Sequence, residues 1–475
     1  MKKVIIRGGV MVLGAVVMTP ASAQEIAPLS DAVAPAQGKV ATLAEAIGAA
    51  IDAQPEVQAR WEAFLAAGED RKAARAGYFP TVDVNGQLGR AARDYDRRGW
   101  FTRDHAEVAV SQMLFDGFLT SSRVAQAGQA RLASYFDLLD AVQQKALEAI
   151  LAYEDVRQYR ATVALAEENL AAHADVVKLM KERESKGVGT SADLDQANGR
   201  YALAQANLLT EQANLYDVTA RFQRITGRMP AENLADFAVA SASVPAGFDA
   251  VLAQAVQKHP SLYAAHARVQ EAKAAITEAQ AGYYPRLSLD GRAGTYRNTS
   301  SFDSSIDPNE RGEEAFVGVR MSYNLFRGGG DKARESAATR RLNQSKDLLN
   351  KTCVDLRQTA SIAWNNVENL KVKMRSLDLH RQGAAKVATA YEQQFYIGRR
   401  TLLDVLDARN EAFQSQRAYV QAGHELTKSY YSTLNSMGIL MDVVGQDRRG
   451  LPGVGELDSK GRLPSAIDCG GVFVG

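Results

Sequence analysis

The sequence predicts an α+β membrane protein that is built from two copies of one structural unit. An internal repeat relates Thr42–Gly89 to Gly247–Gly294. Each copy then carries short stretches in which polar and apolar residues alternate, followed by a long stretch without proline. A repeat with an offset of more than 200 residues is the duplication of a whole unit, because solenoid repeats have periods of only about 20–50 residues.

The prolines fix the register of this repeat. Pro55 and Pro80 in the first copy correspond to Pro260 and Pro285 in the second copy, at an offset of 205 positions. Beyond the alternating stretches the offset becomes 211 and remains constant. The second copy therefore has six additional residues, which we place in a loop.

This register divides the chain into successive segments. We predict a signal peptide (1–23), an N-terminal linker (24–41), a first repeat (42–229), a linker (230–246), a second repeat (247–445) and a C-terminal tail (446–475). Within the repeats we predict a helix, a β-hairpin (81–115 and 286–326) and a pair of long helices (118–226 and 331–437).

The first 23 residues have the pattern of a secretory signal peptide. Lys2, Lys3 and Arg7 give a positive start, an apolar stretch follows, and Ala21–Ala23 provides small residues for cleavage. The apolar stretch is too short to span a bilayer. We therefore expect an exported mature chain, and the absence of a cysteine near Gln24 argues against lipid attachment at its N-terminus.

The alternating stretches predict strands with one apolar face. From Val317 to Leu325 every second residue is apolar or aromatic, and the residues between them are small or polar. This is about the length that a tilted strand needs to cross an outer membrane, although a soluble hairpin has the same pattern. Beyond the signal peptide no run of about 18 apolar residues is present. If the strands cross a membrane, four of them cannot close a barrel, so the chain must oligomerise.

The proline-free stretches predict long helices. None of the 12 prolines lies between Pro80 and Pro230 or between Pro308 and Pro452. In the first of these stretches the apolar residues recur at alternating steps of three and four, which is typical of a supercoiled helix. Turns that contain glycine then separate each long helix from a return helix.

Composition and motifs exclude several functions. Lys and Arg total 56 against 55 for Asp and Glu, so the chain lacks the basic excess of a nucleic-acid-binding protein. HExxH and GxSxG motifs are absent, and Gly328–Gly330 is not followed by the GK[ST] of a phosphate-binding loop. The sequence therefore predicts no enzyme, no cofactor and no metal site. Cys353 and Cys469 lack CxxC spacing, and we expect Cys353 to be a packed small residue in a helix.

The order of these features resembles the TolC-type outer-membrane factors. The matching motifs are AGYFP and AGYYP before the strands, QMLFDG and YNLFRG after them, and GRRTLLDVLDARN at the second helix turn. The resemblance implies a homotrimer with four strands per protomer in one twelve-stranded barrel, set in the outer-membrane lipid of a Gram-negative bacterium. The resemblance also implies that a long periplasmic α-helical barrel continues the twelve-stranded barrel. Such proteins are passive exit ducts that dock with a periplasmic adaptor and an inner-membrane transporter, for which we favour the ABC type.

The turns that join the long helices are the candidate functional site. Asp404 and Asp407 lie three residues apart at the start of a return helix, where acidic residues commonly cap the helix. The resemblance implies that both line a closed periplasmic entrance as rings around the three-fold axis, and that Arg400 and Asp193 help to hold it shut. Some family members carry an arginine at the position of Gly423, so this network is expected to differ here. Adaptor docking is expected at the tip turns, which contain Gly187, Gly189, Thr190, Gly398 and Thr401.

Two export functions and one function of another class remain open. The missing lipidation cysteine and the stretch RDYDRRGW, which resembles an outer loop of adhesin exporters, favour type I protein secretion over small-molecule efflux. A periplasmic coiled-coil adaptor or scaffold would also have long helices and a signal peptide. An adaptor should, however, carry one helical hairpin between soluble β-domains, and this chain carries two helix pairs.

Overall fold

Two hairpins of strands and two pairs of long helices dominate the protein. The computed structural model describes residues 38–93, 98–298 and 312–445, together with residues 457, 463–464 and 467–469. The predicted signal peptide, the linker up to residue 37, parts of both polar loops and most of the predicted tail lie outside the described residues.

Each repeat begins with a helix that a proline divides in two. Gln54 and His259 stand before the prolines and have extended backbone conformations, because the ring of a following proline disfavours the helical region. Proline itself is tolerated in the first turn of the next helix. A capping box between Thr42 and Glu45 starts the first helix. The four helices are α1 (Leu43–Ala53), α2 (Pro55–Ala76), α5 (Phe248–Lys258) and α6 (Pro260–Gln280).

The strands form a single antiparallel sheet with the order β1–β2–β3–β4. The pairing of β2 with β3 joins the hairpin of the first repeat to that of the second. β1 and β4 are the two edges of the sheet. The strands are β1 (Thr81–Arg93), β2 (Arg98–Phe115), β3 (Arg286–Arg297) and β4 (Gly312–Ser322).

One face of the sheet is apolar and the other is polar. Residues that lie opposite each other on neighbouring strands share a face of the sheet. One such row crosses all four strands on the apolar face and consists of Val82, Val110, Gly291 and Val317. The polar face carries ion pairs and hydrogen bonds between strands. On it the Asp290 carboxylate accepts a hydrogen bond of 2.8 Å from Ser111 and lies 2.9 Å from Arg320, and the Tyr296 hydroxyl donates to Glu107 at 2.8 Å.

Strand β4 is shorter than its sequence pattern. The alternation predicts a strand as far as Leu325 and a hairpin to 326, but β4 ends at Ser322. Ser322 pairs with Arg286, which is the first residue of β3. Beyond this point β4 has no partner strand, so periodicity alone overestimates its length.

Two very long helices each turn back into a shorter one. With 67 residues, α3 and α7 each extend for about 100 Å at 1.5 Å per residue. The shorter helix of each pair packs antiparallel along the C-terminal half of the long helix. Helix α6 packs between the N-terminal parts of α3 and α7. The helices are α3 (Leu119–Ser185), α4 (Ser191–Thr226), α7 (Gly330–Tyr396), α8 (Leu402–Ser436) and the short α9 (Leu440–Val444).

The main hydrophobic core lies midway along the long helices. There the short helices α1, α5 and α9 pack against α3, α7 and α8. Tyr153 is fully buried, and its hydroxyl donates to the carbonyl oxygens of Ala41 and Ala235 at 3.0 and 2.8 Å. These contacts satisfy the hydroxyl of a buried side chain, and they tie the core to the segments before α1 and before α5.

A disulfide connects the C-terminal tail to α7. Cys353 on α7 is fully buried and is bonded to Cys469, beside Leu262, Leu356 and Ile467. Cys353 is packed in the helix as expected, and it also forms a disulfide that the sequence did not predict. The two cysteines are 116 positions apart in sequence, and in the folded protein their Cα atoms lie 5.8 Å apart.

Among the described residues, no helix combines enough length and enough apolar character to cross a membrane.

Candidate functional site

Each pair of long helices ends in a tight glycine turn, which we call its tip. Gly187 and Gly398 both have φ of 73°, a left-handed conformation that is costly for residues with a Cβ. In the first tip the N–H groups of Val188 and Gly189 donate to the carbonyl oxygen of Arg183 at 3.0 and 3.1 Å. A Cβ at Gly189 would lie only 3.1 Å from that of Arg183. These glycines reverse the chain within residues 186–190 and 397–401.

Threonines start both return helices. The Thr190 hydroxyl accepts from the N–H of Asp193 at 3.1 Å and donates to its carboxylate at 2.8 Å. Thr401 makes the same two bonds with Asp404, at 3.2 and 2.9 Å, and its own N–H donates to the Asp404 carboxylate at 3.1 Å. Hydrogen bonds from the backbone and side chain of Thr401 hold the pKa of Asp404 below its usual value. Asp193 and Asp404 therefore cap helices, and Asp404 is negatively charged at the tip.

Arg400 is held within its own tip. Its guanidinium carbon lies 4.0 Å from the centroid of the Tyr391 ring, and its Nε donates to Gln394 at 3.1 Å. The Asp404 carboxylate is 3.9 Å from Nη1 of Arg400. Within the described part of one protomer, Arg400 and Asp193 make no ion pair with each other. The expected network between them therefore stays a prediction.

Asp407 forms an ion pair that the sequence did not predict. Its carboxylate accepts from Nη2 of Arg200 on α4 at 2.5 Å, and the two side chains are 56% and 30% exposed. The pair joins the return helix of the first tip to that of the second. Asp407 therefore has its negative charge partly neutralised by a neighbouring helix of the same chain, in contrast to Asp404.

A small hydrophobic cluster holds the two tips side by side. Val176 and Met180 on α3 pack with Phe395 on α7 and with Leu402 and Leu406 on α8. Arg183 adds a cation–π contact, with its guanidinium carbon 5.0 Å from the centroid of the Phe395 ring. The tips therefore share a packed interior as well as charged groups.

Above the tips, charged side chains connect α8 to the first helix pair. Arg409 donates to the carbonyl oxygen of Ala172 at 2.9 Å, and Arg417 pairs with the buried Glu211 at 2.5 Å. Higher still, three further links connect α8 to α3: His424 with Glu154 at 2.6 Å, Lys428 with Asp155 at 2.9 Å, and Lys428 with Gln158 at 3.2 Å. The pair nearest the tips, Arg200 with Asp407, is more exposed than the links of His424 and Lys428 higher up.

The structure thus places the predicted site residues at two adjacent tips but partners them differently. The basic residue that pairs with a predicted site residue across the two helix pairs is Arg200, and it does not occupy the position of Gly423. A Cβ added at Gly423 would lie 3.8 Å from the terminal methyl group of Met374, which is an ordinary contact distance. Arg200 lies seven residues after Asp193 on the same helix face, and this spacing is the only sequence signal for it.

The comparisons with known proteins agree on one family. The model of the outer membrane efflux protein family matches residues 46–228 and 251–438, which include both repeats. The outer membrane efflux protein BepC of Brucella suis is 28% identical over 371 residues, covering 77% of this chain and 78% of BepC. The alkaline protease secretion protein AprF of Pseudomonas aeruginosa is 25% identical over 412 residues, covering 83% of this chain and 82% of AprF.

Solved structures share the fold at low sequence identity. The crystal structure of the outer membrane protein VceC from Vibrio cholerae superposes with a TM-score of 0.72 at 18% identity, covering 83% of this chain and 96% of VceC. A crystal structure of CusC superposes with a TM-score of 0.74 at 16% identity, covering 83% of this chain and 92% of CusC. The chain belongs to the outer membrane efflux protein family, as an outer-membrane protein of the TolC type with its helical part in the periplasm.

Proposed function

We propose that this protein is the exit duct of a tripartite export system, formed by three copies that close one twelve-stranded barrel. The observation that carries the proposal is the two-faced sheet with its unpaired edges. Val84 on β1 and Val317 on β4 are 79% and 78% exposed on the apolar face. An apolar face of this kind suits lipid, and the polar face suits a water-filled interior.

The open edges of the sheet require partners. A strand edge within lipid leaves backbone N–H and C=O groups without hydrogen bonds, at a cost of several kcal/mol each. Four strands are fewer than the roughly eight of the smallest bacterial barrels. Pairing β4 of one copy with β1 of the next removes every edge, and three copies provide twelve strands.

The tips are the proposed gate of this duct. In a trimer, Asp404 and Asp407 each recur three times around the axis and form a negative ring, which favours cations. Arg400 and Asp193 of adjacent protomers are proposed to hold the entrance closed, with Arg200 as a further link within each protomer. The duct is passive, and docking opens it at the tips.

A periplasmic adaptor and an inner-membrane transporter are the proposed partners. The adaptor docks near the turns that contain Gly187, Gly189 and Gly398, where Thr190 and Thr401 begin the return helices. We favour an ABC-type transporter. This assignment rests on the resemblance and on relatives whose names describe secretion, such as the proteases secretion protein PrtF of Dickeya chrysanthemi.

For the exported substrate, type I protein secretion is the first candidate and small-molecule efflux is the second. The name of AprF, which aligns over 83% of this chain, supports secretion. The name of BepC, which has the higher identity, supports efflux. Deleting the gene separates the two candidates. Loss of a secreted protein from the medium with unchanged drug susceptibility supports secretion, and the reverse result supports efflux.

The gate is tested in planar bilayers. Replacing both Asp404 and Asp407 by alanine should weaken cation selectivity and block by multivalent cations. The control is Asp347→Ala, an exposed carboxylate of α7 that lies far from the tips. Conductance and block that remain unchanged in the double variant would contradict the ring assignment.

A further inference from the structure

A cavity rich in arginine lies where the sheet meets the helices. It has a volume of about 460 Å³ and is lined by the first turns of α3 and α7, the end of α6 and the residues next to β3 and β4. Five guanidinium groups line it, from Arg123, Arg286, Arg327, Arg334 and Arg341. Neither the family match nor the gate accounts for this concentration of positive charge.

The carboxylates in the cavity balance only part of this charge. Glu278 pairs with Arg123 at 2.9 Å. Asp331 lies 3.4 Å from Arg327 and 3.0 Å from Arg334, so one carboxylate serves two arginines. Five positive and two negative groups leave an excess of three charges.

Two of the arginines have no acidic partner. Arg286 and Arg341 form neither an ion pair nor a side-chain hydrogen bond within the part of the chain that the structure describes. An arginine fork without a carboxylate is free to bind another oxyanion through two parallel hydrogen bonds. These two groups are therefore the ones available to a ligand.

Helix dipoles add to the positive potential. The cavity touches Leu119 in the first turn of α3 and Asp331 in the first turn of α7. The N-terminal ends of helices carry partial positive charge and N–H groups without helical partners. At α3 the Thr120 N–H already donates to Asp116 at 2.8 Å, and Asp331 lies in the first turn of α7, so these carboxylates offset part of the two dipoles and the five arginines supply most of the positive charge.

The cavity opens on the side of the polar sheet face. Arg286 has the same strand parity as Asp290 and Arg292, which lie on the polar face. On α6, Glu278 in the cavity is 16 residues from Leu262, which packs against the C-terminal tail. Sixteen residues at 3.6 per turn place the two on opposite sides of the helix. The short helices and the tail thus cover one side of the helical layer, and the cavity lies on the other.

We propose that this cavity binds a phosphate-type oxyanion on a solute inside the channel, and that the site recurs three times just below the barrel. The inference rests on the proposed function only for its position in the channel interior. Binding itself is a property of the cavity in each protomer. Its positive charge lies at the opposite end of the helices from the aspartates at the tips, so the duct has an anion site and a cation site in series.

Calorimetric titration of the detergent-solubilised mature protein with inorganic pyrophosphate tests the site. The parent protein should bind saturably, and the Arg286→Gln/Arg341→Gln variant should bind at least about tenfold more weakly, since a charge-assisted hydrogen bond contributes that much or more. The control is Arg340→Gln, an exposed arginine next to Arg341 that does not line the cavity. The absence of saturable binding to the parent, or equal weakening in the control, would overturn the inference.

Two further measurements are needed. The first distinguishes a solute from a lipid headgroup as the ligand, and the second distinguishes failure of this inference from failure of the proposed function. In nanodiscs, pyrophosphate affinity should be the same with zwitterionic and with anionic phospholipid. Competition by the anionic lipid would assign the cavity to lipid headgroups and would overturn its place in the channel. In planar bilayers the double variant should shift selectivity toward cations. A parent that conducts but binds no pyrophosphate would contradict this inference alone, whereas a parent that binds but does not conduct would contradict the proposed function.

Discussion

Removing the ion pair between Arg200 and Asp407 should favour opening of the tips. The change is Arg200→Gln, which keeps the approximate length of the side chain and deletes its charge. The pair joins α4 to α8 near the tips, where the remaining links between the two helix pairs are few. Its loss is therefore expected to weaken the proposed closed arrangement, while the links of Glu154 and Asp155 higher up remain in place.

The magnitude follows from exposure. The side chains of Arg200 and Asp407 are 30% and 56% exposed, so the pair belongs to the surface class that contributes about 0.2–1 kcal/mol. In a trimer that opens as a unit, three copies contribute about 0.6–3 kcal/mol, which corresponds to a shift of about 3- to 150-fold in the equilibrium between open and closed states.

Single-channel recording in planar bilayers measures this shift as a rise in open probability or in mean conductance. High salt screens a surface pair, so the difference between parent and variant should shrink as ionic strength rises. Arg224→Gln is the matched control, because it removes an exposed arginine at the far end of α4. An Arg200→Gln channel that behaves like the parent at low salt would refute the role of this pair in closing the tips.

Three further predictions concern the helices, the tail and the sheet. Burial, followed by the charge of Asp137, raises the pKa of Asp140 to about 6, so the contribution of Asp140 to stability falls as the pH rises from about 4 to about 6. Asp140→Asn should therefore raise stability at pH 7 by about 3 kcal/mol, and the gain should vanish below about pH 4 in melting curves. Replacing Cys353 by serine should lower the stability by about 2–4 kcal/mol and make the C-terminal tail more sensitive to protease; an unchanged melting temperature and digestion pattern would argue against the disulfide. Val319→Lys on the apolar sheet face should reduce the amount of folded outer-membrane protein, because lysine in lipid costs about 2–4 kcal/mol, whereas Asn85→Lys on the polar face should not.

The sequence could predict the strands and long helices because their signals are local. The alternation from Val317 onward depends only on which face of a strand each residue occupies. A long stretch without proline likewise permits an uninterrupted helix, whatever the rest of the chain does. The end of β4 could not be predicted in the same way. It depends on where β3 begins, and that partner lies in a different part of the chain.

The partners of the site residues could be predicted only where they are neighbours in sequence. Thr401 and Asp404 form a capping box three residues apart, and the helix-capping interpretation of Asp404 follows from that spacing alone. The bond from Arg200 to Asp407 spans 207 positions and requires the arrangement of two helix pairs. The bond from Cys353 to Cys469 likewise depends on the path of the tail.

The mass and location of the assembled protein test the proposed trimeric duct most directly. The outer membrane of the native host is separated from the periplasm, and the detergent-extracted protein is sized by light scattering corrected for detergent. A trimeric duct should be found in the outer-membrane fraction with the mass of three mature chains. A periplasmic monomer that needs no detergent would contradict the trimeric duct. In such a monomer no lipid would cover the apolar face of the sheet, and no neighbouring strands would pair with its edges.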